Sequence, residues 1–387
     1  MILAWQLYAL FIVLFILFGL ASSLANFFTV RRFDQYPPAE KYPFVSVLVP
    51  ARNEANNIEV CVISLLAQDY PDFEVLVLND NSTDDTSLIL EQLARSDGRL
   101  RVIQGAPLPD DWLGKHWACH QLDQAASGDL ILFTDADTQH SPDMLRASVS
   151  ALIAEQADLV TAFPRQEMGT WGERLLVPFM CWGIFTFIPI GLVQKMRWPL
   201  LSISIGQFML FRRTAYDKLG GFAVVKREVV DDVCMGRILM TNGGEWRLLD
   251  GTRHVSCRMY RGFKEAVGGF SKTLFAVFDY RILPYVFGWT LAGLVILEPV
   301  VEFILHWAPW HLPSLPIQYA AFSIALSLTI WIVTYQRFQF PLYLVLLYPL
   351  SLALFIGVAA LSFIQAASGT ATWKDRVVDR AAAMRWL

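Results

Sequence analysis

Residues 2–28 form a nearly unbroken apolar run, with Gln6 and Asn26 as its main polar interruptions. A helix of that length and composition is apolar on every face, so it belongs in a bilayer. Nothing basic precedes the run and no clear small-x-small cleavage pattern follows it, so it reads as a retained span, not a secretory leader. Arg31 and Arg32 come directly after it and, by positive-inside bias, hold the following chain in the cytoplasm. Three more long apolar segments occupy 283–305, 317–335 and 341–364. With 55% hydrophobic and 17% charged residues over 387 positions, the chain is too apolar for an ordinary soluble domain. The expected protein is an integral protein of the cell membrane. A net charge of −4 gives no reason to expect nucleic acid. Five scattered cysteines without a Cys-x-x-Cys spacing fit a reducing compartment better than a disulfide framework.

Between the first span and the last three, the pattern changes. After a proline-containing linker at 36–43, short apolar strands are expected at 45–49, 73–78, 100–104, 129–134 and 159–163. Helices are expected at 58–67, 84–94 and 116–126. Ser82 or Thr83 would cap the helix at 84–94, and Ser141-Pro142 would start another with proline at its first position. Such alternation argues for a mostly parallel sheet covered on both faces, with ligands at the carboxyl ends of its strands. Three polar clusters fall at those ends: 50–54, 79–84 and 134–137.

The last cluster holds Asp135 and Asp137, and a second acidic pair, Asp231 and Asp232, stands far along the chain. Two carboxylates one residue apart at a strand end can share a divalent cation with a phosphate or with sugar hydroxyls. The second pair can supply a general base opposite. No Gly-x-Gly-x-x-Gly follows the first strand and there is no P-loop, so a nucleotide would be held by side-chain acids and a metal. His116, Cys119 and His120 have ligand-like helical spacing, but helix packing is the preferred reading over zinc.

Residues 175–193 are long enough to span, yet crossing there would put the two acidic pairs on opposite sides of the membrane. Residues 174–198 are therefore expected at the interface, with Arg174, Lys195, Arg197, Trp182 and Trp198 at the headgroups; a buried core helix is the alternative. One span before the domain and three after it would leave the basic tail on the far side, so either one late segment is re-entrant, the last being preferred because of Pro349, or the tail breaks the positive-inside pattern. The tail itself, 366–387, is short and amphipathic. Glu298 and Glu302 lie one helical turn apart inside an apolar segment, as structural groups or near a lipid acceptor.

The stretches VSVLVPARNE at 45–54, LNDNSTD at 78–84, TDAD at 134–137 and VDDV at 230–233 together resemble family 2 glycosyltransferases, over about residues 44–275. The stretches WLGKHWA at 112–118, GQFMLFR at 206–212 and CRMYRGF at 257–263 are similar to membrane enzymes that glycosylate carotenoids and to hopanoid-associated relatives, as is WKDR at 373–376. The resemblance implies a GT-A-like α/β nucleotide-sugar-binding domain over 41–278, combined with transmembrane helices at 1–30 and 283–365. It implies a nucleotide-sugar donor, UDP-linked for preference, and Mg2+ or Mn2+ as cofactor. Asp80 and Glu54 would meet the nucleotide beside Pro50 and Arg52, and Asp135 and Asp137 would carry the metal. Lys115 would sit near the diphosphate, with Arg258 and Arg261 as further neutralising cations. Asp232 would be the base and Asp231 secondary to it.

The chain departs from the family at Asn79, which replaces the first Asp of the usual Asp-Asp, and lacks the Gln-x-x-Arg-Trp of processive members. The implied reaction is a single inverting displacement onto a lipid or isoprenoid hydroxyl, such as that of a carotenoid or hopanoid. A ceramide-like lipid and a polyprenyl phosphate remain alternative acceptors. The rival from another class is a membrane scaffold with a catalytically dead domain.

Overall fold

The computed structural model describes residues 2–307 and 317–369, together with 372–373, 376–377 and 385–386. Most of the tail, expected to be amphipathic, lies outside the described residues. The chain divides into two compact units: residues 30–167 with 192–259, and residues 1–29 with 168–191 and 260–387. The soluble domain expected over 41–278 thus gives up 168–191 and 260–278 to the other unit.

The first of these units is built on ten strands. They are β1 Val45–Ala51, β2 Phe73–Asn79, β3 Leu100–Gln104, β4 Leu130–Phe133, β5 Thr138–His140, β6 Leu159–Phe163, β7 Arg165–Gln166, β8 Met209–Arg212, β9 Trp246–Asp250 and β10 Val255–Cys257. Seven form one sheet in the order β3-β2-β1-β4-β8-β6-β9. The pairs β1–β2, β1–β4, β2–β3 and β6–β9 are parallel, while β8 runs antiparallel to both its neighbours. β4 and β6 are buried at every residue, as a sheet covered on both faces requires. Because β2, β1 and β4 are parallel neighbours, the turns that leave them share one edge. A second sheet of order β5-β10-β7 lies in the same unit, with β10 antiparallel to β5 and parallel to β7.

Two helix starts differ from expectation. The helix after β2 is Thr86–Ser96, and its first amide donates to Asp84 Oδ1 at 3.1 Å, so Asp84 does what was expected of Ser82 or Thr83. The helix expected to begin at Pro142 begins later, at Met144–Ala154. Ser141 Oγ instead donates to Asp143 at 2.5 Å, and the Ser141 carbonyl accepts the Met144 amide. Arg31 stacks on Tyr36 and pairs with Glu155, and Arg32 pairs with the buried Asp250 at 3.1 Å. Both arginines are therefore structural groups of this unit, whatever their bearing on topology.

The other unit contains helices long and apolar enough to cross a membrane, within Gln6–Thr29, Ile282–Leu305, Ile317–Arg337 and Leu342–Ser368. Leu342–Ser368 meets that test as one unbent segment, and Pro349 is the second residue of its helix Tyr348–Ser368, where the missing N–H costs nothing. The broken element is Trp171–Phe187 followed by Ile190–Met196, which meets the length and apolarity test as a bent pair. Trp182, expected at the headgroups, is buried within the protein and stacked on Trp331, with centroids 4.7 Å apart. Gly19 permits close helix approach, since a Cβ there would meet the Thr186 methyl at 2.9 Å. The span Ile282–Leu305 carries a π-turn at Gly293–Leu297, immediately before Glu298.

Candidate active site

The turns leaving β1, β2 and β4 carry the first half of the site. Pro50 is the last but one residue of β1, in register with Leu78. Arg52 reaches across to β2, where its Nη1 donates to the Asp80 carbonyl at 2.7 Å and lies 3.9 Å from Asp80 Oδ2. Asp80 is buried, and its amide donates to the Ala51 carbonyl at 2.8 Å. Asn53 and Asn81 both adopt left-handed backbone, at φ 53°, a region asparagine tolerates better than most residues. Asn53 then holds the neighbouring loop, accepting the Thr83 amide at 2.8 Å. Glu54 is anchored by its own amide on Thr86 Oγ1 and accepts from Asn57 at 2.8 Å. The nucleotide-side residues expected from the sequence are thus brought together, by hydrogen bonds between the loops.

Asp135 and Asp137 lie on the turn between β4 and β5. The turn is fixed from behind: Thr138 Oγ1 donates to the Asp135 carbonyl at 2.7 Å and lies 2.9 Å from His140 Nε2. Burial pushes His140 down to about 3, so it is a neutral structural imidazole. Asp137 Oδ1 accepts from Cys257 Sγ at 3.4 Å. Burial first, then the Asp135 and Glu54 carboxylates, push Asp137 up to about 7. Opposite Asp135 stands Lys115, in the first turn of the helix Gly114–Ala125, its Nζ 2.6 Å from Asp135 Oδ1.

The second acidic pair opens the helix Asp231–Thr241. Its members point apart, as adjacent helical residues must. Asp231 faces His116, Oδ1 to Nε2 at 3.8 Å. Asp232 turns the other way: its Oδ2 accepts the Gly206 amide and its Oδ1 the Val233 amide, both at 2.8 Å. Burial and the neighbouring Asp231 push Asp232 up to about 7. A Cβ on Gly206 would lie 3.2 Å from Asp232 Oδ2 and 3.5 Å from Lys115 Nζ, so both acidic pairs converge on Lys115 and this glycine.

Arg258 is the residue after β10, and Arg261 belongs to the other unit, where its amide donates to Glu265 at 2.8 Å. His120 lies against Trp112 and Trp117 at 4.9 and 5.6 Å. Sequence reading missed Gly206, Cys257 and His140 as site residues. The first two lie in stretches that drew notice only as family-like, and no local pattern announces their partners.

Residues 46–220 match the family model described as Glycosyl transferase family 2. A beta-monoglucosyldiacylglycerol synthase from a Nostoc species is 30% identical over 198 residues, 49% of this chain and 40% of that one. A 4,4'-diaponeurosporenoate glycosyltransferase from Staphylococcus aureus is 25% identical over 241 residues, 59% and 60% of the two chains. The chain thus spans less than two thirds of the length of these curated relatives. Among solved structures, a mannosyltransferase from Pyrobaculum calidifontis in complex with GDP-Man and Mn2+ aligns over 92% of this chain and 99% of its own. The TM-score is 0.55 at 19% identity, a likeness of fold.

Proposed function

We propose that the protein transfers a sugar from a nucleotide-sugar donor to a membrane lipid or isoprenoid hydroxyl, a reading supported by the match of residues 46–220 to the Glycosyl transferase family 2 model and by the GT-A-like, mostly parallel sheet. The observation that carries this reading is the convergence of Asp135 with Lys115, and of Asp232 with Gly206, at the carboxyl end of β4. A nucleotide-binding edge and a buried base beside it are what a single displacement at an anomeric carbon needs.

Asp135 and Asp137 fit a divalent cation. Asp137 is crowded by two carboxylates, and a cation relieves that repulsion. Among the described residues no three-ligand His, Cys, Asp or Glu cage exists. The protein would therefore offer these two carboxylates and leave the remaining positions to donor phosphates and water, the usual arrangement for Mg2+. When bound, the cation neutralises charge developing on the leaving diphosphate. The mannosyltransferase with GDP-Man and Mn2+ supports this choice by likeness of fold only.

The chain's own residues do the rest. Arg52 and Asp80 fix the loop that meets the nucleotide, and Lys115 supplies a positive charge beside the diphosphate. Asp232, held by two amides and raised toward neutrality, takes the proton from the acceptor hydroxyl as that oxygen attacks from the face opposite the diphosphate. The anomeric configuration inverts. Asp231, turned toward His116, tunes the base without sharing its role.

The apolar helices and the names of the two relatives, one a diacylglycerol glycoside synthase and one a diaponeurosporenoate transferase, support a lipid or isoprenoid acceptor. A donor made in the cytoplasm supports a catalytic unit on that side of the cell membrane. The test is lipid mass spectrometry of a host expressing the parent chain or Asp232→Asn. A glycolipid made only by the parent supports the reading. Identical lipid profiles, with both proteins folded in the membrane and the donor and acceptor classes present, favour the scaffold.

A further inference from the structure

Lys115 occupies an unusual position. It lies in the first turn of a twelve-residue helix, where the macrodipole disfavours a cation, and Leu113 at the cap gives no side-chain hydrogen bond. An acid offsets this: Asp135, whose Oδ1 lies 2.6 Å from the Lys115 Nζ. The oxygen that Lys115 holds belongs to one of the two carboxylates that fit a divalent cation. The ammonium and the amides of that helix start also make a positive place suited to phosphate. One lysine therefore stands between two demands, a metal-ligating oxygen behind it and an anion in front.

We infer that Lys115 is a place-holder that couples donor and cation binding: its ammonium occupies Asp135 until a nucleoside diphosphate draws it away and frees that oxygen. The inference rests on the transferase reading above and adds an order to it. A cation arriving alone competes with Lys115, while a nucleotide arriving alone must break the Lys115–Asp135 pair. Each partner lowers the other's cost, and linkage makes the coupling reciprocal. The carboxylate of Asp232 lies beside the same glycine as the ammonium, so a lysine leaving Asp135 remains near a negative charge.

The test is a double-mutant cycle on the full chain in detergent, read by calorimetric titration without any acceptor. The probes are UDP, or GDP if the parent prefers it, in excess EDTA, and Mn2+ alone. Asp135→Asn should bind the nucleotide about tenfold more tightly than the parent, as expected for releasing one charge-assisted contact. In a Lys115→Met background that gain should shrink at least about fivefold. If relief of charge repulsion were the whole cause, the gain would be the same in both backgrounds, and that outcome overturns the place-holder. Lys115→Met should also bind Mn2+ alone about tenfold more tightly, with the gain retained in about 0.5 M salt, where a distant charge effect would be screened. Loss of that gain in salt also counts against the inference. A folded parent that binds no nucleotide with Mn2+ overturns the transferase reading as well. A parent that binds both, with an additive cycle, overturns the place-holder alone.

Discussion

The amide of Gly206 donates to Asp232 Oδ2 at 2.8 Å, and a side chain on that glycine would meet the same oxygen at 3.2 Å. The contact both holds the carboxylate and limits what residue can stand beneath it. Gly206→Ala should therefore displace Asp232 by a few tenths of an ångström without unfolding the sheet. Turnover should fall by about 10–10², the scale of a misplaced reacting group. Unchanged turnover in the alanine variant would show that Asp232 has room to spare.

Asp232→Asn separates a base from a helix-start residue. The variant should lose about 10²–10⁴ in turnover with little change in donor affinity. Asp231→Asn should lose less, because its carboxylate faces His116. The reverse order of severity would exchange their roles.

The pH dependence follows from the direction of the same shift. Asp232 is pushed up to about 7, above its ordinary value, so only above that range is it the carboxylate a base must be. Turnover at saturating donor and cation should rise as pH increases through about 7 and lose that limb in Asp232→Asn. Stability runs the other way. A carboxyl that binds its proton more tightly in the folded state contributes stability at low pH, lost as pH rises through its folded value. Asp232→Asn loses one of the two amide contacts at every pH, so the parent's melting advantage over it should be larger near pH 5 and shrink toward pH 8. An advantage that grows toward pH 8 would contradict this.

Excess EDTA should stop turnover, and Mn2+ or Mg2+ should restore it in the parent. Asp137→Ala should lose Mn2+ binding by titration and about 10²-fold or more in turnover. Full activity of that variant in EDTA would exclude the carboxylates as a cation site.

Much of this was legible because parallel strands buried on both faces read as apolar runs. The residues of β1, β2, β4 and β6 announce themselves in that way, and the acids at the ends of the first three follow. β8 and β9 were not expected; they are short strands whose role is set by partners β4 and β6, not by alternation of their own. Within the site, the ion pair of Lys115 with Asp135 joins residues on a helix and a distant turn. No spacing rule reports such a pairing.

Asn26 makes the last case, because the sequence showed it only as a polar break in an apolar helix. In the structure it is buried, and its Nδ2 donates to the carbonyls of Phe185 and Ile188 at 2.8 and 2.7 Å. Its Oδ1 accepts the amide of Ile190 at 2.9 Å. These three backbone groups belong to the break between Trp171–Phe187 and Ile190–Met196, where a helix end leaves carbonyls and amides without intrahelical partners. In apolar surroundings each such group costs about 1–3 kcal/mol if left unpaired. Asn26→Leu should therefore cost about 3 kcal/mol or more, read as a large drop in the thermal midpoint of the detergent-solubilised protein. Asn26→Asp keeps the acceptor but not the paired donors, and should recover only part of the loss. Gln6→Leu, on the same helix at an exposed position, is the control and should be nearly neutral. If Asn26→Leu melts within a degree or so of Gln6→Leu (about the effect of a few tenths of a kcal/mol), the three bonds do not hold the break together.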